Sequence, residues 1–262
     1  MNLDLTGKTA LVCGSTQGLG YASAVELAML GANIVLMARN EEKLQAAVKT
    51  LDGSKGQKHQ WLVADFTDPN NVKKAISNFS EENKTVHILV NNTGGPAGGT
   101  ALNANTDEFL RAFNSHLICN HILVQALVPG MKAAGFGRII NVISTSVKQP
   151  IIGLGVSNTI RAAVANWAKT LATELGPFGI TVNNVLPGFT KTVRADYVIQ
   201  KKVADSGKTE EEVMKALVAE IPAGRIGNPE EFGAVVAFLS SPAAAYINGV
   251  NLPVDGGRLG CL

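Results

Sequence analysis

The sequence predicts a single α/β domain: a doubly wound parallel sheet of about seven strands with helices on both faces. Three observations carry this. Short apolar runs of strand length take turns with helix-length amphipathic segments along the whole chain. The apolar runs are continuous rather than alternating, as expected of strands buried on both faces. No Pro/Ser-rich linker, long charge run, low-complexity tract or fixed-period repeat divides the 262 residues, so 1–262 is expected to fold as one unit.

TALVCG (9–14) opens the sheet and leads into a helix expected over 18–30. NIVLMA (33–38) precedes a helix over 41–51. HQWLVA (59–64) precedes one over 70–82, announced by Asp68-Pro69. VHILVN (86–91) is followed by the longest helical pattern, 106–134, whose start is marked by Thr106, Asp107 and Glu108. RIINVI (138–143), a helix over 157–175 and ITVNNVL (180–186) continue the alternation. A helix over 229–240, opened by Asn228-Pro229-Glu230-Glu231, and VNLPV (250–254) complete it. Two short helices are expected within 193–225. Ser206-Gly207 separates them, and Thr209 caps the second, with Glu210 to Glu212 in its first turn. Right-handed crossovers put ligands beyond the carboxyl ends of such strands, so chemistry belongs in the segments that follow them.

A hydrophobic content of 46% with 17% charged residues suits one buried core and argues against disorder. The net charge of +2 gives no reason to expect a nucleic-acid partner. The start, MNLDLTGK, lacks a signal-peptide pattern, and no run approaches the roughly 18 apolar residues of a membrane span. Cys13, Cys119 and Cys261 are scattered, with no metal or disulfide spacing. A cytoplasmic protein without a metal or membrane partner is therefore expected, with Cys13 and Cys119 as small buried apolar residues.

The loop after the first strand reads CGSTQGLGYA. Gly14, Gly18 and Gly20 stand where a tight turn must bring backbone close to a pyrophosphate at a helix N-terminus. This Rossmann-like placement, more than the G-x-x-x-G-x-G spacing itself, points to a dinucleotide; an ordinary glycine-rich turn is the alternative. The second strand ends Met37-Ala38-Arg39-Asn40, with no acid for a ribose 2′-hydroxyl. Glu41 and Glu42 read as the first turn of the next helix. A guanidinium suits a 2′-phosphate, so Arg39 favours NADP(H) over NAD(H); a solvated surface arginine is the other reading.

Four ordered stretches now resemble one family. CGSTQGLG, LVNNTGG (89–95), VNNVLPGFTKT (182–192) and YINGVNLPVDGG (246–257) are similar to those of short-chain dehydrogenases/reductases, over about Leu5 to Gly257. The segment RIGNPEEFGAVVAFLSSPAAAYINGV resembles bacterial members related to 3-oxoacyl-(acyl carrier protein) reductase. The resemblance implies that Gly14, Ser15, Gly18, Leu19 and Gly20 surround the pyrophosphate. It implies that Asp65 reaches the adenine amine, and that Asn91 holds the adenosine side with Thr93 and Gly94 beside it. Pro187, Gly188 and Thr192 would meet the nicotinamide; the plainer reading is a turn and a helix cap.

The same resemblance implies an Asn, Ser, Tyr and Lys tetrad, in which the tyrosine gives a proton to the carbonyl oxygen. Ser144 matches the serine. Thirteen residues later the tyrosine position holds Ser157, and four further the lysine position holds Arg161. The asparagine position, thirteen residues before Pro129, is His116. An aliphatic hydroxyl is a poor acid, and arginine stays protonated. Arg161 suits clamping ribose hydroxyls or steadying a developing alkoxide, and Ser144 and Ser157 suit orienting a carbonyl. A free imidazole titrates near ~6.5, and His116 would act through water; an interior structural histidine is the alternative. Lys148 near the pocket mouth, direct delivery from water, and Tyr197 as part of a lid are further sources of the proton. Tyr21 and Tyr246 lie elsewhere.

Residues 190–225 are expected to cover the substrate, with Val193, Val198 and Ile199 making a moderately apolar pocket. The helices 106–134 and 157–175 are expected to pair across a two-fold axis in a homotetramer, with a dimer next. The sequence thus leads to an NADP(H)-dependent carbonyl reductase or alcohol dehydrogenase with an altered proton path. A non-catalytic nucleotide-binding sensor or assembly partner is the alternative, and a lyase or isomerase with bound cofactor a third.

Overall fold

The computed structural model describes residues 1–81 and 85–261. The alternation produces one parallel sheet. Its strands are β1 (Thr9–Cys13), β2 (Asn33–Ala38), β3 (Gln60–Val63), β4 (Ile88–Asn91), β5 (Gly137–Val142), β6 (Ile180–Pro187) and β7 (Asn251–Val254). Their order across the sheet is β3-β2-β1-β4-β5-β6-β7, and every neighbouring pair runs parallel. Strand order reverses between β1 and β4. A crevice opens there at the carboxyl ends.

Period-two side-chain alternation sorts the core into two layers. Leu11, Cys13, Val35, Met37, Leu89, Ile139 and Val182 face α3 (Pro69–Glu81), α5 (Cys119–Ala133) and α6 (Gly155–Leu175). Ala10, Val12, Ile34, Leu36, Val90, Ile140 and Val185 face α1 (Gly18–Met29) and α9 (Pro229–Ser240). Helices α1 and α9 touch closely at Gly233, where a Cβ would meet the Ala22 carbonyl oxygen at 2.7 Å. Cys13 and Cys119 are buried as expected, and Cys261 is exposed.

Three expectations need correction. β3 and β7 are edge strands, not strands buried on both faces: Trp61 and Val63 are each 41% exposed, because nothing pairs outside β3 in the sheet order. The long 106–134 helix is interrupted. α4 (Thr106–Phe113) passes through a π turn, Asn114–Ile118, before α5 begins. α6 starts at Gly155, so Ser157 lies inside its first turn; a Cβ on Gly155 would lie 2.2 Å from the Ala101 nitrogen. The remaining helices are α2 (Glu41–Val48), α7 (Val193–Ser206) and α8 (Glu210–Ala219). Gly207 ends α7 at φ +67, and Thr209 with Glu212 forms a reciprocal cap on α8, as the sequence predicts. The expected end of the third helix at residue 82 lies outside the described residues. No described helix is long and apolar enough to cross a membrane.

Candidate active site

A cleft of about 700 Å³ runs over the carboxyl ends of the strands, from the β1–α1 loop and the end of β2 to the segment after β6. Its outer end is made largely of backbone. Gly14 holds φ +57, and a Cβ there would meet the Asn92 carbonyl oxygen at 2.7 Å. A Cβ on Gly20 would lie 2.4 Å from the Gly14 oxygen. The chain is drawn tight by Asn92, whose Nδ2 donates to the carbonyls of Cys13 and Gly14. No side chain caps the N-terminus of α1, and its first turn carries no acid. Free N–H groups and the positive end of the helix dipole therefore face the cleft, a setting that fits a pyrophosphate.

Arg39 and Lys43 line the cleft at the end of β2. Asn40 is spent on capping α2, accepting from the Lys43 N–H at 2.8 Å. Glu41 and Glu42 are first-turn residues, as expected. Asp65 lines the cleft after β3. Hydrogen bonds from the Thr67 N–H and hydroxyl hold its carboxyl below the usual carboxylate range, with Arg39 adding to the effect.

At the inner end, Ser144 follows β5 with its Oγ accepting from the Ser146 N–H at 3.0 Å. Ser157 and Arg161, one helical turn apart on α6, face the same cleft. Arg161 is 8% exposed. Its Nη1 donates to the Val142 carbonyl at 3.0 Å, while Nε has no partner among the described residues. Burial, reinforced by nearby Arg194, pushes this guanidinium down to about 10, so it remains charged at neutral pH.

Gly18, Leu19, Thr93, Gly94, Pro187, Gly188 and Thr192 also line the cleft. Four expected site residues do not. Ser15 is buried, and its Oγ accepts from the Met37 N–H, bracing the loop from beneath. Gly20 is packed under the turn. Asn91 points into the sheet, where it starts an asparagine ladder. Asn91 donates to Asn141, Asn141 to Asn184, and Asn184 to Asn251, at 2.9, 3.0 and 2.7 Å. His116 sits in the π turn and faces a separate cavity of about 200 Å³, which shares Gly94 and Ser115 with the cleft. Burial and the Arg161 charge hold its imidazole well below its usual range, so it is neutral at pH 7.

Gly188 is glycine for a structural reason: a Cβ would lie 2.4 Å from Asp255 Cα. Thr192 both caps α7 and stands over Gly18, whose Cβ would lie 3.5 Å from the Thr192 methyl. Val193 and Val198 line the cleft, whereas Ile199 packs between α7 and α8. Lys148 and Tyr197 are not among the cleft residues; Tyr197 lies under the Arg194 guanidinium, 5.4 Å from its ring centre. Sequence reasoning missed Asn92, Lys43, Ser115 and Arg194. Asn92 stands beside a residue that was chosen, and Arg194 had only its place after Thr192 to single it out.

The family model described as enoyl-(acyl carrier protein) reductase matches residues 14–258. The chain belongs to the short-chain dehydrogenases/reductases. This short-chain dehydrogenase/reductase is 34% identical over 256 residues to the 3-oxoacyl-[acyl-carrier-protein] reductase FabG of Vibrio cholerae, spanning 97% of the chain and 98% of that relative. The L-sorbose reductase from Gluconobacter frateurii, solved with NADPH and L-sorbose, superposes over 100% of both chains with a TM-score of 0.93 at 32% identity. A 3-oxoacyl (acyl-carrier-protein) reductase from Agrobacterium tumefaciens C58 with NADP bound reaches a TM-score of 0.86 at 25% identity, over 97% of this chain and 95% of that one. The oxidoreductase class of the chain follows from this membership.

Proposed function

We propose that this enzyme is an NADP(H)-dependent carbonyl reductase or alcohol dehydrogenase whose site departs from its family's tyrosine and lysine, with Ser157 and Arg161 in their places. The observation that carries the reading is one continuous cleft. It joins an uncapped helix N-terminus and a paired Arg39 and Lys43 at one end to Ser144, Ser157 and Arg161 at the other. The NADPH- and NADP-bound relatives support the choice of cofactor.

The outer residues hold the dinucleotide: backbone N–H groups of the Gly14–Gly20 turn at the pyrophosphate, Arg39 and Lys43 at the 2′-phosphate, Asp65 at the adenine. Asn92 acts through the turn it tightens, and Ser15 and Asn91 support from within. Thr93, Gly94, Pro187, Gly188 and Thr192 bound the nicotinamide end. Bound NADPH supplies a hydride to a carbonyl carbon. Ser144 and Ser157 donate hydrogen bonds to the carbonyl oxygen, and Arg161 balances the charge that grows there. Neither serine is an acid of suitable strength, and Arg161 keeps its proton. Water from the cleft mouth therefore delivers the proton to oxygen. Neutral His116, turned to the small cavity behind, is not itself the acid.

The substrate-covering segment is 190–225, with Val193 and Val198 on its inner side. Small carbonyl or alcohol compounds, 3-oxoacyl thioesters among them, are the substrate class, with no nucleic-acid or membrane partner. The reading includes a cytoplasmic homotetramer joined along α4–α5 and α6, supported by exposed Leu110 and Phe113 on α4. The deciding experiment pairs calorimetry of NADPH and NADH with a carbonyl panel. NADPH binds at least tenfold tighter, and Ser144→Ala abolishes turnover while binding persists. Tight NADPH binding with no turnover across broad carbonyl and alcohol panels would favour a non-catalytic sensor instead. No binding of either coenzyme to folded protein would end the proposal.

A further inference from the structure

The inner end of the cleft holds two cations and no acid. Among the described residues that line the cleft, Asp65 is the one carboxylate, and it lies at the opposite end beside Arg39. Arg161 is buried yet, among the described residues, makes one hydrogen bond, through Nη1 to Val142, out of the five its guanidinium can donate. No ion pair is found for it among the described residues. Its Nη2 reaches toward the 93–97 loop, where a Cβ on Gly95 would stand 3.8 Å away. On the next residue of that loop, the Pro96 carbonyl accepts from Arg194 Nη2 at 3.1 Å. The two guanidinium groups thus flank adjacent residues of one loop, and the Arg194 charge adds to the cost of charge on buried Arg161.

A buried, underused cation next to a second cation is expensive unless an anion shares the site. The described residues that line this end of the cleft supply none. The cofactor, if it lies as proposed above, does not supply one either. Its phosphates fall at the glycine turn and at Arg39, and its nicotinamide is neutral when reduced and positive when oxidised. A ketone is neutral before hydride arrives, so charge growing on its oxygen explains Arg161 only in the transition state. It does not explain Arg194. A permanent anion on the substrate satisfies both.

We propose that Arg161 and Arg194 form a carboxylate subsite, and that the enzyme's substrates are oxo or hydroxy acids whose carboxylate lies within a carbon or two of the reacting carbon. The inference rests on the cofactor assignment above and narrows it. Arg194, partly free at the mouth, anchors the carboxylate by a charge-assisted hydrogen bond. Arg161 shares that carboxylate and faces the carbonyl oxygen. The Arg194 guanidinium is held over the Tyr197 ring, which presents it to the cleft. Substrate binding then neutralises the pair.

The test uses the full chain loaded with NADP⁺ or NADPH, so that the phosphate-binding end is already filled. Malonate, oxalate, inorganic phosphate and uncharged dimethyl malonate are titrated by calorimetry, and 2-oxo and 3-oxo acids are assayed against their methyl esters. The two dicarboxylates bind, dimethyl malonate does not, and acids exceed esters at least 100-fold in kcat/KM. Arg194→Gln weakens dicarboxylate binding and raises KM for acids at least tenfold. It leaves NADPH affinity within twofold, and Arg194→Lys restores part of the loss. Equal turnover of acids and esters, or an Arg194→Gln effect shared by both, would overturn the proposal. Phosphate binding tighter than malonate would likewise overturn the carboxylate assignment. Dicarboxylate binding to a protein that takes up neither coenzyme would fault the cofactor reading alone.

Discussion

The two ends of the cleft are built by different means. The outer end is backbone: a glycine turn, an uncapped helix and one asparagine that ties the turn to β4. The inner end is side chains: two serines and two arginines drawn from α6, α7 and the turn after β5. A backbone site tolerates almost no change, because an added Cβ collides with main chain. A side-chain site keeps its frame while its chemistry is exchanged. The difference lets a glycine turn persist while side chains such as those of Ser157 and Arg161 are free to be exchanged.

The largest effect should come from breaking the backbone end. Gly14→Ala places a Cβ at positive φ and against the Asn92 carbonyl, a cost of about 2–5 kcal/mol. Urea unfolding should show that loss, and NADPH affinity should fall by more than ~100-fold. Gly94→Ala, where a Cβ meets nothing within 4 Å, is the control and should change stability by less than ~0.5 kcal/mol. Similar behaviour of the two variants would erase the contrast.

At the inner end, Ser157→Ala should lower kcat by about 10²- to 10³-fold, as loss of a donor to a developing oxyanion does, with NADPH binding unchanged. Single-turnover kinetics separates the two quantities, and a normal chemical step would remove Ser157 from the site.

Arg39→Ala sharpens the comparison within the outer end, since it removes a side chain from a backbone site. NADPH affinity should drop about 10- to 100-fold while NADH affinity holds, the expected worth of a charge-assisted contact to the 2′-phosphate. Parallel loss of both coenzymes would mean that Arg39 is structural.

The smallest effect concerns His116. Its folded imidazole resists protonation, so the unfolded chain binds more protons below pH ~6.5 and stability falls on acidification. At pH 5.5 this costs about 1 kcal/mol. His116→Asn should flatten the decline in Tm between pH 7 and 5.5, and a slope identical to the parent protein would refute the assignment.

The strands, most helices and both caps around Gly207 and Thr209 were legible in the sequence, because apolar period, glycine and capping residues act locally. The edge exposure of β3 and the π turn at 114–118 were not. The first depends on which strands find neighbours, and the second on how a long helix fits over the sheet. Of the residues named from their places after strands or by family likeness, Gly14, Gly18, Arg39, Asp65, Ser144, Ser157 and Arg161 line the cleft. Ser15 and Asn91 were named for the cofactor, but their side chains turn inward to Met37 and Asn141. Motif position shows where a residue stands on the chain, not which way it faces.

By itself the sequence determined the parallel α/β scaffold and its glycine turn, since these are matters of period, spacing and residue type, while family likeness pointed to Ser157 and Arg161. Only the tertiary structure decided that Arg161 lies buried without a carboxylate partner among the described residues and that Arg194, thirty-three residues later, flanks the same loop. Charge balance is a property of what folding brings within a few ångströms, and no local pattern along the chain encodes it.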